Sequence, residues 1–162
     1  MLAPTGVVLA AAGIVLWNEN RRLDRELAAL RASAQRQQRQ LHEAREVADL
    51  MTASDTITVA LAPQPGQPHG TAHVTYSAKM GMLMYEGEIA PAPPAKSYQL
   101  WLYPAAGKPI SAGVFNPASG QPGHWMMKVP QGIWPKSFAV TLEPAGGMPQ
   151  PTGPTVLMGR VS

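Results

Sequence analysis

Three groups of side chains in this sequence have types and spacings that could do chemistry. The first is Met80-Gly81-Met82-Leu83-Met84. In an extended strand its three thioethers fall on one face, and thioether sulfur suits Cu(I). His69, His73 and the run His124-Trp125-Met126-Met127 would complete such a site if folding brought them near, His124 being the added candidate ligand. The commoner use of methionine is to fill irregular gaps in a small core, and that reading weighs against the metal. His69 and His73 would share a face of a helix, but Pro68 and Gly70 argue for loop and strand instead.

The second group is Glu86 and Glu88, on one face of the same strand. Paired carboxylates can work as acid and base, yet without an opposing cleft they read as a solvated face. The third is the serines at 77, 97, 111, 119 and 137, none in a nucleophile-elbow context. The chain has no cysteine, so disulfides, thiolate metal sites and a thiol nucleophile are excluded together. The reading is a non-enzymatic protein with no catalytic residue and no cofactor.

The elements that would position these groups follow from glycine and proline. There is neither between Gly13 and Pro63, whereas beyond Pro63 they arrive every few residues. That pattern predicts helix first, strand and turn afterwards. Charge divides the same way: seven of the eight arginines lie from Arg21 to Arg45, interleaved with acids. The alkaline balance therefore belongs to one helix. No basic face with interleaved aromatics is evident in the remainder, which excludes a nucleic-acid partner.

The helical part has two segments. Residues 1–17 carry the apolar run GVVLAAAGIVLW, Gly6 to Trp17. From Leu2 it would rise about 24 Å as a helix, short of the ~30 Å hydrocarbon core. No basic residue precedes it as a signal peptide requires. A buried core helix suits its length. The best fit is a membrane anchor whose first turns are missing, with Trp17 at the interface and Asn18 to Arg22 among the headgroups. Residues 18–53 then form a stalk, roughly 50 Å long if fully helical. A heptad frame runs Leu23, Leu27, Leu30, Ala34, Gln37, Leu41, Ala44, Ala48, Met51, polar in the middle. It predicts either a short parallel coiled coil joining chains or a single solvated spacer helix.

Residues 54–162 read as strands at Thr56–Leu61, Ala72–Ser77, Met82–Ile89, Ser97–Tyr103, Ile110–Phe115, Trp125–Val129, Ser137–Glu143 and Thr155–Val161. Short strands split by turn residues predict an all-β sandwich, Greek-key-like, of about seven or eight strands. Alternation sets Tyr98, Leu100 and Leu102 against Gln99, Trp101 and Tyr103. It likewise sets Phe138, Val140 and Leu142 against Ala139, Thr141 and Glu143. Gly113 suggests a bulge or close packing, and Gly146-Gly147 suggest positive φ.

Four pieces of this domain form a signature: YQLWLY (98–103), KPISAGVF (108–115), FAVTLEPAGG (138–147) and PQPTGP (149–154). In this order and at these separations they resemble the extracytoplasmic domain of anti-sigma-K factors of the RskA type, over roughly Thr71 to Arg160. The resemblance implies a single-pass membrane regulator whose cytoplasmic N-terminal domain holds a sigma factor. Its outer, periplasmic domain then governs proteolytic release. This chain carries no such cytoplasmic domain and no His/Cys zinc motif. It is thus either a separate sensor subunit or a product that starts upstream. The arginines after the apolar run point to the opposite orientation by the positive-inside rule. The family orientation is preferred, with the C-terminal domain outside the cell membrane.

The expected partners are the membrane, an envelope protease acting near Asp49–Asp55, a sigma factor indirectly, and a second chain through the stalk. The alternative function is an envelope ligand- or copper-binding module using Met80, Met82, Met84 and His124.

Overall fold

The computed structural model describes residues 4–67, 70–117 and 123–162, with the backbone alone over 4–15. His69 and Ser119 lie outside the described residues. The chain divides into two compact units, Met1–Val47 and Ala48–Ser162.

One continuous helix, α1 (Pro4–Thr52), takes up the predicted anchor and stalk together. Every residue from Ile14 to Thr52 is helix-compatible, so no breaker divides the apolar run from the charged segment. Among the described residues no helix is long and apolar enough to cross a membrane. The helix ends by hydrogen bonding: Ala53 N–H donates to the Asp49 carbonyl, and Thr56 N–H to the Ala53 carbonyl.

Eight strands follow: β1 (Thr56–Pro63), β2 (Gly70–Ser77), β3 (Met82–Ile89), β4 (Lys96–Pro104), β5 (Ile110–Phe115), β6 (Gly123–Lys128), β7 (Pro135–Pro144) and β8 (Thr155–Arg160). They correspond one for one with the strands read from the sequence: β3 and β5 keep their bounds, β1, β2, β4 and β7 are two or three residues longer, β6 is shifted toward its start, and β8 is one residue shorter. They pair antiparallel in the order β5-β4-β7-β8-β1-β2-β3-β6.

The predicted sandwich is corrected in one respect. Its two halves are a single eight-stranded sheet curled until it is nearly a barrel. The joint is β1: Thr56 to Leu61 pair with β2, while Ala62 and Pro63 pair with Met158 and Leu157 of β8. The strands β5 and β6 stand at the two ends of the hydrogen-bonded order. They meet through side chains instead, with the Phe115 and Trp125 rings 4.6 Å apart and Tyr85 4.8 Å from Phe115. A curled sheet with an aromatic seam covers its edges without closing its ladder.

The interior is built from alternate residues of both halves. Val59, Val74, Tyr76, Leu83 and Tyr85 come from one; Tyr98, Leu100, Leu102, Phe138, Val140 and Leu157 come from the other. A bulge lies between Leu100 and Trp101, where Leu100 pairs with Gly113 and Trp101 with Ser111, so that Ala112 is extra. A second lies between Val140 and Thr141. Each disrupts the ladder locally and increases the curl.

Candidate functional site

The signature pieces converge on the face of β4 and β7 that points away from the core. Alternation predicts solvent there, yet Gln99, Trp101, Ala139, Thr141 and Glu143 are all buried. The segment 145–154 between β7 and β8 is held across this face as a strap. The Pro144 carbonyl accepts from Gly147 N–H to form the turn, and Leu142 N–H donates to the Pro154 carbonyl where the strap re-enters the sheet.

Gln99 holds the near end of the strap. Its Nε2 donates to the Met148 carbonyl (2.9 Å) and to Ser111 Oγ (2.7 Å), while its Oε1 accepts from Met148 N–H (2.8 Å). The side-chain amide thus pairs with one residue of backbone as a neighbouring strand would. Gly147 is required beside it: its φ is 80°, and an added Cβ would lie 2.7 Å from Gln99 Oε1.

Glu143 holds the far end. Oε1 accepts from Thr141 Oγ1 (2.6 Å) and Thr152 N–H (3.0 Å); Oε2 accepts from Thr152 Oγ1 and Gly153 N–H (3.0 Å). Trp101 Nε1–H donates to Thr141 Oγ1 (2.8 Å), so a directed chain runs from indole to hydroxyl to carboxylate. Four neutral donors surround the carboxylate. Burial pushes its pKa up, but the hydrogen bonds from Thr141, Thr152 and Gly153 outweigh that and hold it below the usual carboxylate range. Gly153 fits because a Cβ there would run into the Leu142 carbonyl oxygen. Glu143 is therefore a clasp for the strap, with its acceptor capacity filled and none left for a substrate.

A second polar cluster fixes the start of the β domain. Asp55 accepts from Ser77 Oγ (2.8 Å) and from Lys79 N–H (2.8 Å), while Lys79 Nζ donates to Ser54 Oγ (3.2 Å). The bond from Lys79 N–H leads the lowering of the Asp55 pKa. Thr56 Oγ1 donates to the carbonyl of Leu50, itself fully buried. Asp49–Asp55, read from sequence as a cleavable connector, is helix through Thr52 and then a pinned turn.

The predicted metal residues are distributed differently from the expected row. Met82 and Met84 are in β3 on the outward face and are buried; Met80 precedes the strand, in the turn closed by Gly81 N–H to the Ser77 carbonyl. Gly81, with φ 61°, reverses the chain, so the alternation that would align Met80 begins only at Met82. Met126 pairs with Met84 across β6. His124 lies opposite Glu86, Nδ1 to Oε1 3.7 Å, and His73 flanks Glu86 on the other side. Register thus assembles an exposed His73–Glu86–His124 row that sequence spacing did not announce. Among the described residues no group of three or more His, Asp or Glu side chains is arranged to hold a metal ion. Glu88 shares that outward face and is exposed.

The model of the family described as anti-sigma-K factor RskA, C-terminal, matches residues 4–156, a span that includes both strap clasps. The chain belongs to the anti-sigma-K factor RskA C-terminal family. A Streptomyces griseus protein titled "Uncharacterized protein in phr 5'region" is 30% identical over 98% of this chain and 61% of its own length. An RskA-titled anti-sigma-K factor of Mycobacterium sp. (strain KMS) is 33% identical over 66% of this chain and 43% of its own length. One from Mycobacterium sp. (strain JLS) gives the same values. The chain thus spans less than two thirds of the length of these curated relatives. No solved structure matches it. Within the RskA C-terminal family, the signature of this chain is in physical terms the strap and the residues that clasp it.

Proposed function

We propose that this chain is the regulatory, non-catalytic part of an anti-sigma-factor-like protein. The apolar start of α1 anchors it to the cell membrane, and the β domain stands on the extracytoplasmic side. It controls sigma-factor availability indirectly, by deciding whether an envelope protease can cut the chain near the foot of the domain. Family membership supports the regulatory reading.

The observation that carries the protease step is the Asp55 cluster. Proteases bind extended, accessible backbone, and here the candidate segment is helical and then tied to Ser77 and Lys79. While the domain is folded, the cut is withheld; opening this corner exposes it. The test is N-terminal sequencing of the C-terminal fragments released in stressed cells, comparing the unaltered chain with Asp55→Ala. Cleavage within residues 45–65 on stress, and without stress in the variant, is the expected result. No cleavage there in either would overturn the mechanism.

A further inference from the structure

The stalk leaves an apolar stripe uncovered. Leu16, Leu23, Leu27, Leu30, Leu41 and Met51 are exposed on α1, Leu30 at 66% and Leu23 at 52% of full exposure. Their spacing is the heptad frame, with Leu27 and Leu41 at a positions and Leu16, Leu23, Leu30 and Met51 at d. In the same frame Asn20 occupies a and Gln37 occupies d. Glu26 and Arg31 flank Leu27 at g and the following e.

We infer that the occupant of this stripe is a second copy of the chain, parallel and in register. Two features select that arrangement over an antiparallel one. Parallel pairing sets Asn20 against Asn20 and Gln37 against Gln37, so each seam amide has an amide partner. It also sets the leucines at 23, 27, 30 and 41 against themselves. An antiparallel pair centred on the same frame would put Asn20 against Met51, Gln37 against Ala34, and Leu23 and Leu27 against Ala48 and Ala44, keeping only Leu30 against Leu41. Charge alone is divided. The parallel pair gains Glu26 with Arg31 of the other copy and loses on Glu19 facing Asp24, while the antiparallel one gains Asp24 with Arg45.

Magnitude decides between them. A solvated pair of this kind contributes little. A seam amide left without a partner costs more than such a pair returns. A single Asn at an a position is also the device that fixes register in two-stranded coils.

The absence of cysteine makes the register directly readable by single-cysteine cross-linking of the full chain in detergent. Ala48→Cys is expected to form a disulfide-linked dimer under mild oxidation, since position 48 meets itself only in the parallel pair. In an equimolar mixture of Leu23→Cys and Ala48→Cys chains, the mixed 23–48 link is expected to be absent. Sedimentation in density-matched detergent should give twice the chain mass, falling to one for the paired substitution Leu23→Gln and Leu30→Gln. Both glutamines are good helix formers, so unchanged circular dichroism separates loss of pairing from loss of folding. A monomeric unaltered chain, a dimer insensitive to those glutamines, or an efficient 23–48 link would each overturn the inference.

Discussion

The two halves of the curled sheet cover their outward faces to different extents. On β4 and β7 the outward row Gln99, Trp101, Thr141 and Glu143 is buried beneath the strap. On β2, β3 and β6 the outward face is divided: Thr75, Ser77, Met82 and Met84 are buried, while the row His73, Glu86 and His124 is exposed. Both halves obey the same two-residue alternation, and both rows contain polar side chains. The difference lies in the connection that leaves each strand pair. After β7 comes a strap of ten residues that can fold back; between β2 and β3 comes a tight turn that cannot. A connection that folds back is thus what buries the second face of β4 and β7.

That contrast predicts unequal costs for similar substitutions. The largest is expected for Trp101→Ala, which empties the covered face beneath the strap and should cost about 4 kcal/mol in denaturant titrations followed by circular dichroism. Glu143→Gln should cost about 2–3 kcal/mol, because an amide oxygen replaces a carboxylate that accepts four hydrogen bonds. Gly153→Ala should cost about 1–3 kcal/mol, since its Cβ meets backbone that cannot rotate away. Glu86→Gln, on the open row, should change stability by less than about 0.5 kcal/mol. Equal effects of the two Glu→Gln substitutions would erase the distinction between the faces.

Acid provides a finer comparison. The folded pKa of Glu143 is lowered, so its contribution to stability is complete above the ordinary carboxylate range and is lost as pH falls through the folded value. Asp55 acts in the same direction. The denaturation midpoint of the unaltered chain should therefore decline on acidification, and the decline should be shallower for Glu143→Gln. Identical pH profiles would mean that the clasp carries no charge in the folded chain. His124→Ala is expected to have the smallest effect, under about 0.5 kcal/mol, since its contact with Glu86 is exposed.

Much of this architecture is legible in the chain. All eight strands follow from alternation bounded by glycine and proline, and the same alternation separates the inward residues of β4 and β7 from their neighbours. Gly146 and Gly147 do adopt positive φ, and Gly113 stands at the bulge opposite Leu100. Alternation does not supply the fate of the second face. Glu143 has the sequence environment of a solvated strand residue; its burial depends on Thr152 and Gly153 folding back. The available signal is the density of Thr, Gly and Pro after it, which marks a stiff loop. Met80 falls outside the methionine row because the strand period does not run through Gly81, where the chain turns. The His73–Glu86–His124 row is invisible for a different reason: strand register is a product of tertiary pairing, and no local pattern sets residues 73 and 124 either side of 86.

The place of β1 in the sheet has a mechanical meaning. It is the strand that α1 leads into, and it is also the joint between the two halves, with six registered pairs to β2 and two to β8. Tension along the chain from its N-terminal side would enter β1 at Thr56, within the six pairs to β2, and would reach the contact with β8 only beyond them. The weaker side is the two-pair contact with β8. The six pairs to β2 therefore stand between a pull on α1 and the junction of the two halves.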